Sequence, residues 1–305
     1  MYEKILNKVT VQNNVTGEQN VDENALQGTT TPKDTLWSVV LEEALDETKK
    51  VLAPVKATSY DVKEAFNYLP PAAGQALPNV QVMVITDAGT VSKDGTSDWN
   101  SNMSSKIVSV PLTRYSRSFG LSMFDAMKGF SKTASQVASV VEKIKQEIVK
   151  DFAGVLNNTE ATTTVASISP STVAHTVSAA FGDYGDVESL VLTPANYAQL
   201  IPDNALSLQL TEGAYGIGGI YKSAGIPNGT AGLAYNKDAV AAAFARPAWV
   251  EAPGAEIHEF ESEGIPFRLK ITMDHDHNIL YHTVDVLFGC ALANSKHVSK
   301  VVVSA

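Results

Sequence analysis

The stretch SKTASQVASVVEKIKQEIVKDFAGVL, residues 131–156, decides how the fold is interpreted. It contains no proline and only one glycine, near its end. At about 1.5 Å per residue, a helix of this length extends roughly 39 Å. Ser131 is a candidate N-cap. Apolar residues recur every three or four positions, as on one face of an α-helix; they are Ala134, Val137, Val141, Ile144, Ile148, Phe152 and Val155.

The opposite face of this helix is polar. It carries Lys132, Glu142, Lys143, Gln146, Glu147 and Lys150. The stretch therefore predicts one long amphipathic helix over 131–156, in a chain that otherwise reads as strands, turns and loops.

Two strand-like segments precede the helix. They are NVQVMVIT at 79–86 and KIVSVPL at 106–112, and the residues between them are turn formers. The pattern predicts an extended hairpin with a long tip. Because two strands alone are marginally stable in water, we expect this hairpin to lie against another molecule.

The N-terminal part of the chain divides at Pro32. Residues 1–32 are polar and show no sustained period, which predicts an arm or tail. After Pro32, TLWSVVLEEALDETKKVL at 35–52 fits a helix of modest amphipathicity, with Pro54 ending it.

The part after the helix is predominantly of strand type. VESLVLTPANYAQLI, 187–201, predicts a buried strand that ends at Thr193-Pro194, where a helix begins. KDAVAAAFARPAWV, 237–250, fits a short helix or a strand. IPFRLKITM and NILYHTVDVLFGCALAN predict two strands joined at DHDH. In the second strand, every second residue lies on one face; these residues are Leu280, His282, Val284, Val286, Phe288, Cys290 and Leu292.

Composition restricts the function. The 305 residues fit two domains or one elaborated domain. The net charge is −10, which argues against sequence-independent binding of nucleic acid, although not against enclosing it. Charged residues are 18%, below the roughly 25% of ordinary soluble proteins, so part of the surface is expected to be hidden in an assembly.

The sequence also bears on the compartment. Cys290 is the only cysteine, so no internal disulfide forms. The N-terminal sequence lacks the basic and apolar regions of a signal peptide, and no apolar run reaches the length of a membrane span. We expect a soluble protein made in a reducing cytoplasm.

The segment MDHDHNILYH offers the strongest metal-ligand candidates. His275, Asp276, His277 and His282 all carry suitable donor atoms. The segment lies where a hairpin should turn, however, and no second cluster supplies further ligands. A solvated hairpin tip is the preferred interpretation.

Other motifs favour structural roles. Cys290 lies in an apolar strand, which makes a poor nucleophile. GAYGIGG at 213–219 lacks the Lys-Ser/Thr of a P-loop. TRYSRSFG at 113–120 mixes arginines with aromatic residues, and in an acidic chain interface ion pairs are favoured over base stacking. The sequence predicts no catalytic residue, no metal ligand and no cofactor.

The order of the elements resembles the major capsid protein of tailed bacteriophages, the Hong Kong 97-type capsid fold, an α+β fold. The order is polar arm, extended hairpin, long helix, strand-helix unit, glycine-rich turns and closing strands. GIGGIYKSAGIPNG at 216–229 and GLAYNKDAVAAAFARP at 232–247 carry most of the detailed likeness.

The resemblance implies a domain plan. Arm and hairpin (E-loop) would reach neighbouring subunits, and the long "spine" helix would pack on the strand at 279–293 in the peripheral (P) domain. A compact axial (A) domain would gather around the symmetry axes. The implied boundaries are 1–57 for the arm with a short helix, 58–120 for the E-loop region with its hairpin at about 79–112, 121–169 for the P domain with spine helix 131–156, 170–256 for the A domain, 257–296 for the P-domain hairpin, and 297–305 for a strand returning to the A domain.

The resemblance also implies a function. The chain would self-assemble as pentamers and hexamers into an icosahedral shell around double-stranded DNA, and it would not be an enzyme. It would be assembled in the host cytoplasm and reside in the virion. The implied partners are further copies of the chain, a separate scaffolding protein, a portal protein and possibly a decoration protein, without a membrane and without sequence-specific contacts to DNA.

Further possibilities remain open from the sequence, among them an enzyme whose site the sequence does not reveal. Some relatives crosslink subunits through Lys–Asn bonds, for which Lys93 at the hairpin tip is a candidate without an identified partner. An encapsulin-like shell around a protein cargo shares the fold. From a different class, a β-rich surface or adhesin module fits the composition, although neither a secretion signal nor repeats accompany it.

Overall fold

The structure is a computed structural model that describes residues 51–63, 79–87, 104–122, 130–181, 186–201, 214–246 and 255–304. The predicted arm, nearly all of the helix predicted at 35–52, and Lys93 lie outside the described residues. The hairpin tip between 88 and 103 does so as well.

Four helices and thirteen strands are formed by the described residues. The helices are α1 (Ala53–Lys56), α2 (Phe130–Asn157), α3 (Pro170–Thr172), which a π-helical turn continues over Val173–Val177, and α4 (Pro194–Ala198). The strands are β1 (Ser59–Lys63), β2 (Asn79–Asp87), β3 (Ser104–Pro111), β4 (Thr113–Ser122), β5 (Thr162–Val165), β6 (Ser189–Leu192), β7 (Gly219–Lys222), β8 (Gly232–Tyr235), β9 (Val240–Ala245), β10 (Glu256–Ser262), β11 (Ile265–Asp274), β12 (Ile279–Leu292) and β13 (Val298–Val303).

Helix α2 confirms the long helix and extends the prediction by one residue at each end. Because it begins at Phe130, Ser131 lies inside the helix and is not its N-cap. Of the predicted apolar stripe, all members but the half-buried Val155 are buried. The buried face is wider than the stripe, since Val140, Val149, Ala153 and Leu156 are buried as well.

One charged side chain of α2 is buried, although lysine side chains are usually exposed. Lys145 has no exposed surface, whereas Lys143 and Gln146 beside it are exposed. A long aliphatic stem allows a lysine to occupy a packed helix face, although its ammonium group requires polar partners there.

Pro54 lies in the first turn of helix α1. The end of the helix predicted at 35–52, which Pro54 is expected to mark, stays a prediction because nearly all of that helix lies outside the described residues. In that position a proline costs no hydrogen bond, because the first N–H groups of a helix have no partner within the helix. Pro54 and Val55 are both buried.

The largest sheet has the strand order β1-β9-β12-β11-β10, and β4 also pairs with β12. β1 runs parallel to β9, while β9–β12, β12–β11 and β11–β10 are antiparallel pairs. The closing hairpin predicted around DHDH is therefore formed by β11 and β12. The alternative of a short helix or a strand at 237–250 is resolved as strand β9, whose six residues are all buried.

A second sheet has the order β5-β13-β8-β6-β7. β5, β13, β6 and β7 point in one direction, and only β8 in the centre opposes them. β6 is buried along its whole length, and Thr193 caps α4 directly after it by accepting the backbone N–H of Asn196. This is the predicted strand followed by a helix start.

By the density of its internal contacts the chain divides into two compact units. Unit 1 takes its described residues from Ser116–Glu142 and Val250–Asp285. Unit 2 takes them from Lys50–Tyr115, Lys143–Trp249 and Val286–Ala305. In the described part of the chain, no helix is long and apolar enough to cross a membrane.

Candidate assembly surface

The hairpin of β2 and β3 rests on a face of small side chains. Ala241, Ala243 and Ala245 of β9 belong to the buried cluster that holds the valines of both hairpin strands. On the neighbouring strand β12, Gly289 pairs with Ala243. A Cβ atom at Gly289 would lie 2.1 Å from the carbonyl oxygen of Pro111, so only glycine permits this approach.

The hairpin, which the sequence predicts to lie against another molecule, packs at its base on its own chain. One face of the hairpin is buried, with Val80, Val82, Val84, Val108 and Val110 in the same cluster as the β9 alanines. The alternation of apolar residues along β2 and β3 produces this face. The alanines of β9 gave no such signal, because alanine suits helices and strands of many environments.

The opposite face of the hairpin is apolar and exposed at its centre. Met83 of β2 lies directly across from Ile107 of β3. Met83 is 67% exposed and Ile107 is 63% exposed, the highest values among the large hydrophobic side chains of the described residues. We call this pair the hairpin patch. The alternation in NVQVMVIT already placed Met83 opposite the valines, so the sequence carried the signal for the patch.

Gln81 and Ser109 pair across the strands two positions from the hairpin patch, and both are exposed. The patch is thus apolar at its centre with uncharged polar residues beside it. Adjacent cross-strand apolar pairs stabilise a sheet contact when another surface covers them.

An aromatic row connects β1, β9, β12 and β4 within unit 2. Tyr60 meets Phe244 at 6.5 Å, Phe244 meets Phe288 at 4.8 Å, and Phe288 meets Tyr115 at 5.9 Å between ring centroids. The Tyr115 hydroxyl donates to the Asp151 carboxylate of α2 at 2.5 Å. Tyr115 thereby ties β4 to both the helix and β12.

The spine prediction placed the apolar stripe of α2 against the strand at 279–293. The connection through Tyr115 brings Asp151 near that strand, where its charge contributes to a raised pKa of Cys290. Other contacts of α2 lead to the second sheet, since the Phe152 ring lies 5.7 Å from Tyr235 of β8. The packing of the whole stripe on that strand stays a prediction.

The metal-ligand candidates lie on a hairpin turn and a strand. His275, Asp276 and His277 are exposed, and His277 Nδ1 is 2.9 Å from Asp274 Oδ2. That hydrogen bond is the main cause of a lowered pKa of Asp274. Among the described residues, no group of three or more His, Cys, Asp or Glu side chains is arranged to hold a metal ion.

Unlike these exposed turn residues, His282 is buried. It is 2% exposed and its ring stacks on Phe119 of β4 at 5.0 Å. Burial lowers the pKa of His282. On β10, Glu256 Oε1 lies 2.9 Å from His258 Nε2. The negative charge of Glu256 acts to raise the pKa of His282, against the larger effect of burial.

The remaining sequence candidates also occupy structural positions. Burial raises the pKa of Cys290 to about 12, which keeps the thiol protonated near neutral pH. Arg114 and Arg117 lie exposed on β4. In the glycine-rich segment, Tyr215 and Gly216 adopt positive φ angles of 57° and 76°, as tight turns require.

Sequence reasoning missed a buried ion pair in unit 1. Arg268 and Asp285 are cross-strand partners on β11 and β12, with Nε and Oδ1 3.4 Å apart and both side chains almost inaccessible. A pair of this kind fixes strand register, because slipping by one residue would separate two buried charges.

No family model matches the sequence, and no curated protein matches it either. Among solved structures, the capsid of a native gene transfer agent particle matches with a TM-score of 0.51 at 10% identity, over 95% of this chain and 96% of that one. The encapsulin SrpI of Synechococcus elongatus matches with a TM-score of 0.51 at 11% identity, over 93% and 96%.

The chain has the Hong Kong 97-type capsid fold. The agreement covers 96% of each of these two structures, so it is not confined to one shared motif. This confirms the fold class predicted from the order of elements. At such low identity the likeness shows the fold alone, and function has to be argued from the surfaces of this chain.

Proposed function

We propose that this chain is the major capsid protein of a tailed bacteriophage, which assembles as pentamers and hexamers into an icosahedral shell enclosing double-stranded DNA. The observation that carries the proposal is the hairpin patch of Met83 and Ile107. In this proposal the exposed apolar pair on the strand face is a contact site for a partner. In a shell of identical subunits, a second copy of the chain supplies that partner.

The hairpin patch is the proposed contact with the adjacent subunit. The base of the hairpin uses its valine face on its own chain, which leaves the Met83–Ile107 face for the neighbour. Full burial of one such side chain stabilises by about 1.5–3 kcal/mol. Since each residue is already about one third buried, covering the remainder contributes about 1–2 kcal/mol per side chain.

The implied domain plan belongs to the same proposal. Residues 79–112 act as the E-loop, 131–156 as the spine, 170–256 as the A domain and 257–296 as the P-domain hairpin. The partners are other copies of the chain, with a scaffolding protein and a portal protein during assembly. The shell is the virion capsid, assembled in the host cytoplasm, and the chain performs no catalysis.

The size of the purified protein tests the proposal. Light scattering followed by negative-stain imaging should show closed shells, or rings of five and six subunits. A 32.5 kDa monomer that stays monomeric with crowding agents and at all salt concentrations would contradict self-assembly.

Substituting both residues of the hairpin patch tests its contribution. Met83→Ser with Ile107→Ser should raise the concentration needed for assembly by about 30-fold or more, because about 2–4 kcal/mol is lost per contact. The matched control is Gln81→Ser, an exposed residue on the same strand face. Equal assembly of the patch variant and this control would show that the hairpin patch is not an interface.

The second candidate is an encapsulin-like shell that encloses a protein cargo. The full-length agreement with an encapsulin supports it as well as the agreement with a gene transfer agent capsid supports the first. Particles purified from the native source decide between the two. Nuclease-protected DNA inside them supports the capsid, and a co-purifying enzyme in place of DNA supports the nanocompartment.

A further inference from the structure

An open, shallow cavity of about 500 Å³ lies at one edge of the second sheet. The parallel strands β5, β13, β6 and β7 all end at this edge, at Val165, Val303, Leu192 and Lys222. The segments that follow β5 and β6, and the loop between β7 and β8, form its walls. In open, mostly parallel α/β sheets, ligands bind in the crevice outside the carboxyl ends of the strands, and four of the five strands here end at the equivalent edge.

The walls of the cavity are polar without being charged. Among the described residues that line it, none has an ionisable side chain; Thr193, Asn196, Gln199, Asn228 and Thr230 supply hydroxyl and amide groups. Ile168, Ile226 and Pro227 add apolar surface. Among these residues no cationic side chain is present to strengthen the binding of a phosphate or another anion through a charge-assisted hydrogen bond. The lining therefore favours a neutral ligand.

Three lining side chains keep hydrogen-bonding capacity after their contacts within the chain. Thr193 Oγ1 accepts the backbone N–H of Asn196 at 3.4 Å, so its own O–H can donate. Asn196 Nδ2 donates to the carbonyl of Ala231 at 3.0 Å, which leaves Oδ1 as an acceptor. Thr230 Oγ1 donates to Asn157 at 2.9 Å and can still accept. Donors and acceptors thus lie side by side, as a hydroxyl-bearing ligand requires.

Three backbone N–H groups at this edge are already paired. The N–H of Thr193 bonds to Ala231, the N–H of Ala231 bonds to Val301, and the N–H of Ser304 bonds to Val165. An extended peptide binds a sheet mainly through free main-chain groups. Because these groups are occupied, recognition falls to the side-chain hydroxyls and amides, which favours a small polyhydroxylated molecule over a peptide strand.

We propose that this cavity binds an uncharged, hydroxyl-rich ligand, namely a monosaccharide or disaccharide unit. The volume lies within the range of about 300–1,000 Å³ typical of small-ligand sites. No aromatic ring lines it among the described residues, so the affinity is expected in the millimolar range. The ligand is either a free sugar or one unit of a glycan chain. All lining residues belong to one chain, so the inference does not rest on the proposed function.

Saturation-transfer difference NMR on the full-length protein tests the site, since it reports weak ligands on particles of any size. The probes are glucose, maltose and a maltodextrin, with glucose 6-phosphate as the charged analogue. We expect transfer to the neutral sugars and little to the phosphate ester. Binding of glucose and maltose would identify the ligand as a free sugar. Binding of the maltodextrin alone would identify it as one unit of a glycan chain.

Variants localise the binding. Gln199→Ala and Asn228→Ala change exposed lining side chains and should each weaken binding about fivefold. Gln146→Ala removes an exposed amide from α2, outside the cavity, and should leave binding unchanged. Absence of transfer from every neutral sugar would overturn the proposal. Equal binding of glucose 6-phosphate, or equal effects of all three variants, would also do so.

Discussion

Gly289 offers the sharpest test of how the hairpin sits on β9 and β12. In Gly289→Ala the new Cβ would lie 2.1 Å from the carbonyl oxygen of Pro111 and 2.9 Å from a methyl carbon of Val110. Ordinary contact begins at 3.4 Å, so the backbone at Pro111 must retreat by about 1.3 Å. Overpacking of this kind typically costs about 1–3 kcal/mol, and the upper end applies because backbone and side chain both obstruct the methyl group.

Gly154 provides a control with the opposite sign. It lies within α2, and a Cβ there meets nothing within 4 Å. Gly154→Ala should therefore stabilise the protein by about 0.5–1 kcal/mol through the helix propensity of alanine.

Both variants are measured by denaturant unfolding at one protein concentration, because self-association of a protein makes its stability depend on concentration. The midpoint should fall for Gly289→Ala and rise for Gly154→Ala. If Gly289→Ala matched the wild type, the close approach of the hairpin to β12 would be refuted. If the denaturant midpoint fell equally in both variants, the loss of stability in Gly289→Ala would not be explained by the clash with Pro111.

Two further predictions concern buried polar side chains. Tyr235→Phe should destabilise by about 1–2 kcal/mol in denaturant unfolding, because the buried hydroxyl donates to the Pro54 carbonyl at 2.7 Å; an unchanged midpoint would show that this bond contributes nothing. The pKa of His282 is lowered in the folded protein from 6.5, so the unfolded chain binds more protons and stability should fall as pH drops below about 6.5. Tm measured between neutral and mildly acidic pH should decline less in His282→Gln, and identical declines would exclude His282 as the cause.

The sequence predicted well those helices and strands that are defined by the spacing of apolar residues within the element itself. The three- and four-residue spacing of α2 and the two-residue alternation of β2, β3 and β12 depend only on which face of one element is buried. Thr193-Pro194 marked a strand end and a helix start for an equally local reason, since threonine caps and proline suits the first turn.

The features that the sequence did not predict depend on distant partners. Ala241, Ala243 and Ala245 of β9 became a packing face only because Gly289 and the hairpin approach them. The burial of Lys145 likewise reflects what surrounds α2 and not its own spacing. The candidate sugar site joins residues after β5 and β6 with the loop before β8, and no pattern within a single segment connects them.

The position of β13 has a consequence for synthesis of the protein. This strand lies between β5 and β8, yet Ser304, directly after it, hydrogen-bonds to Val165, 139 positions earlier. At roughly 5–20 residues per second, the ribosome completes β13 on the order of ten seconds after β5. Until then the second sheet lacks an interior strand. A nascent chain therefore cannot close this sheet before β13 has emerged from the ribosome.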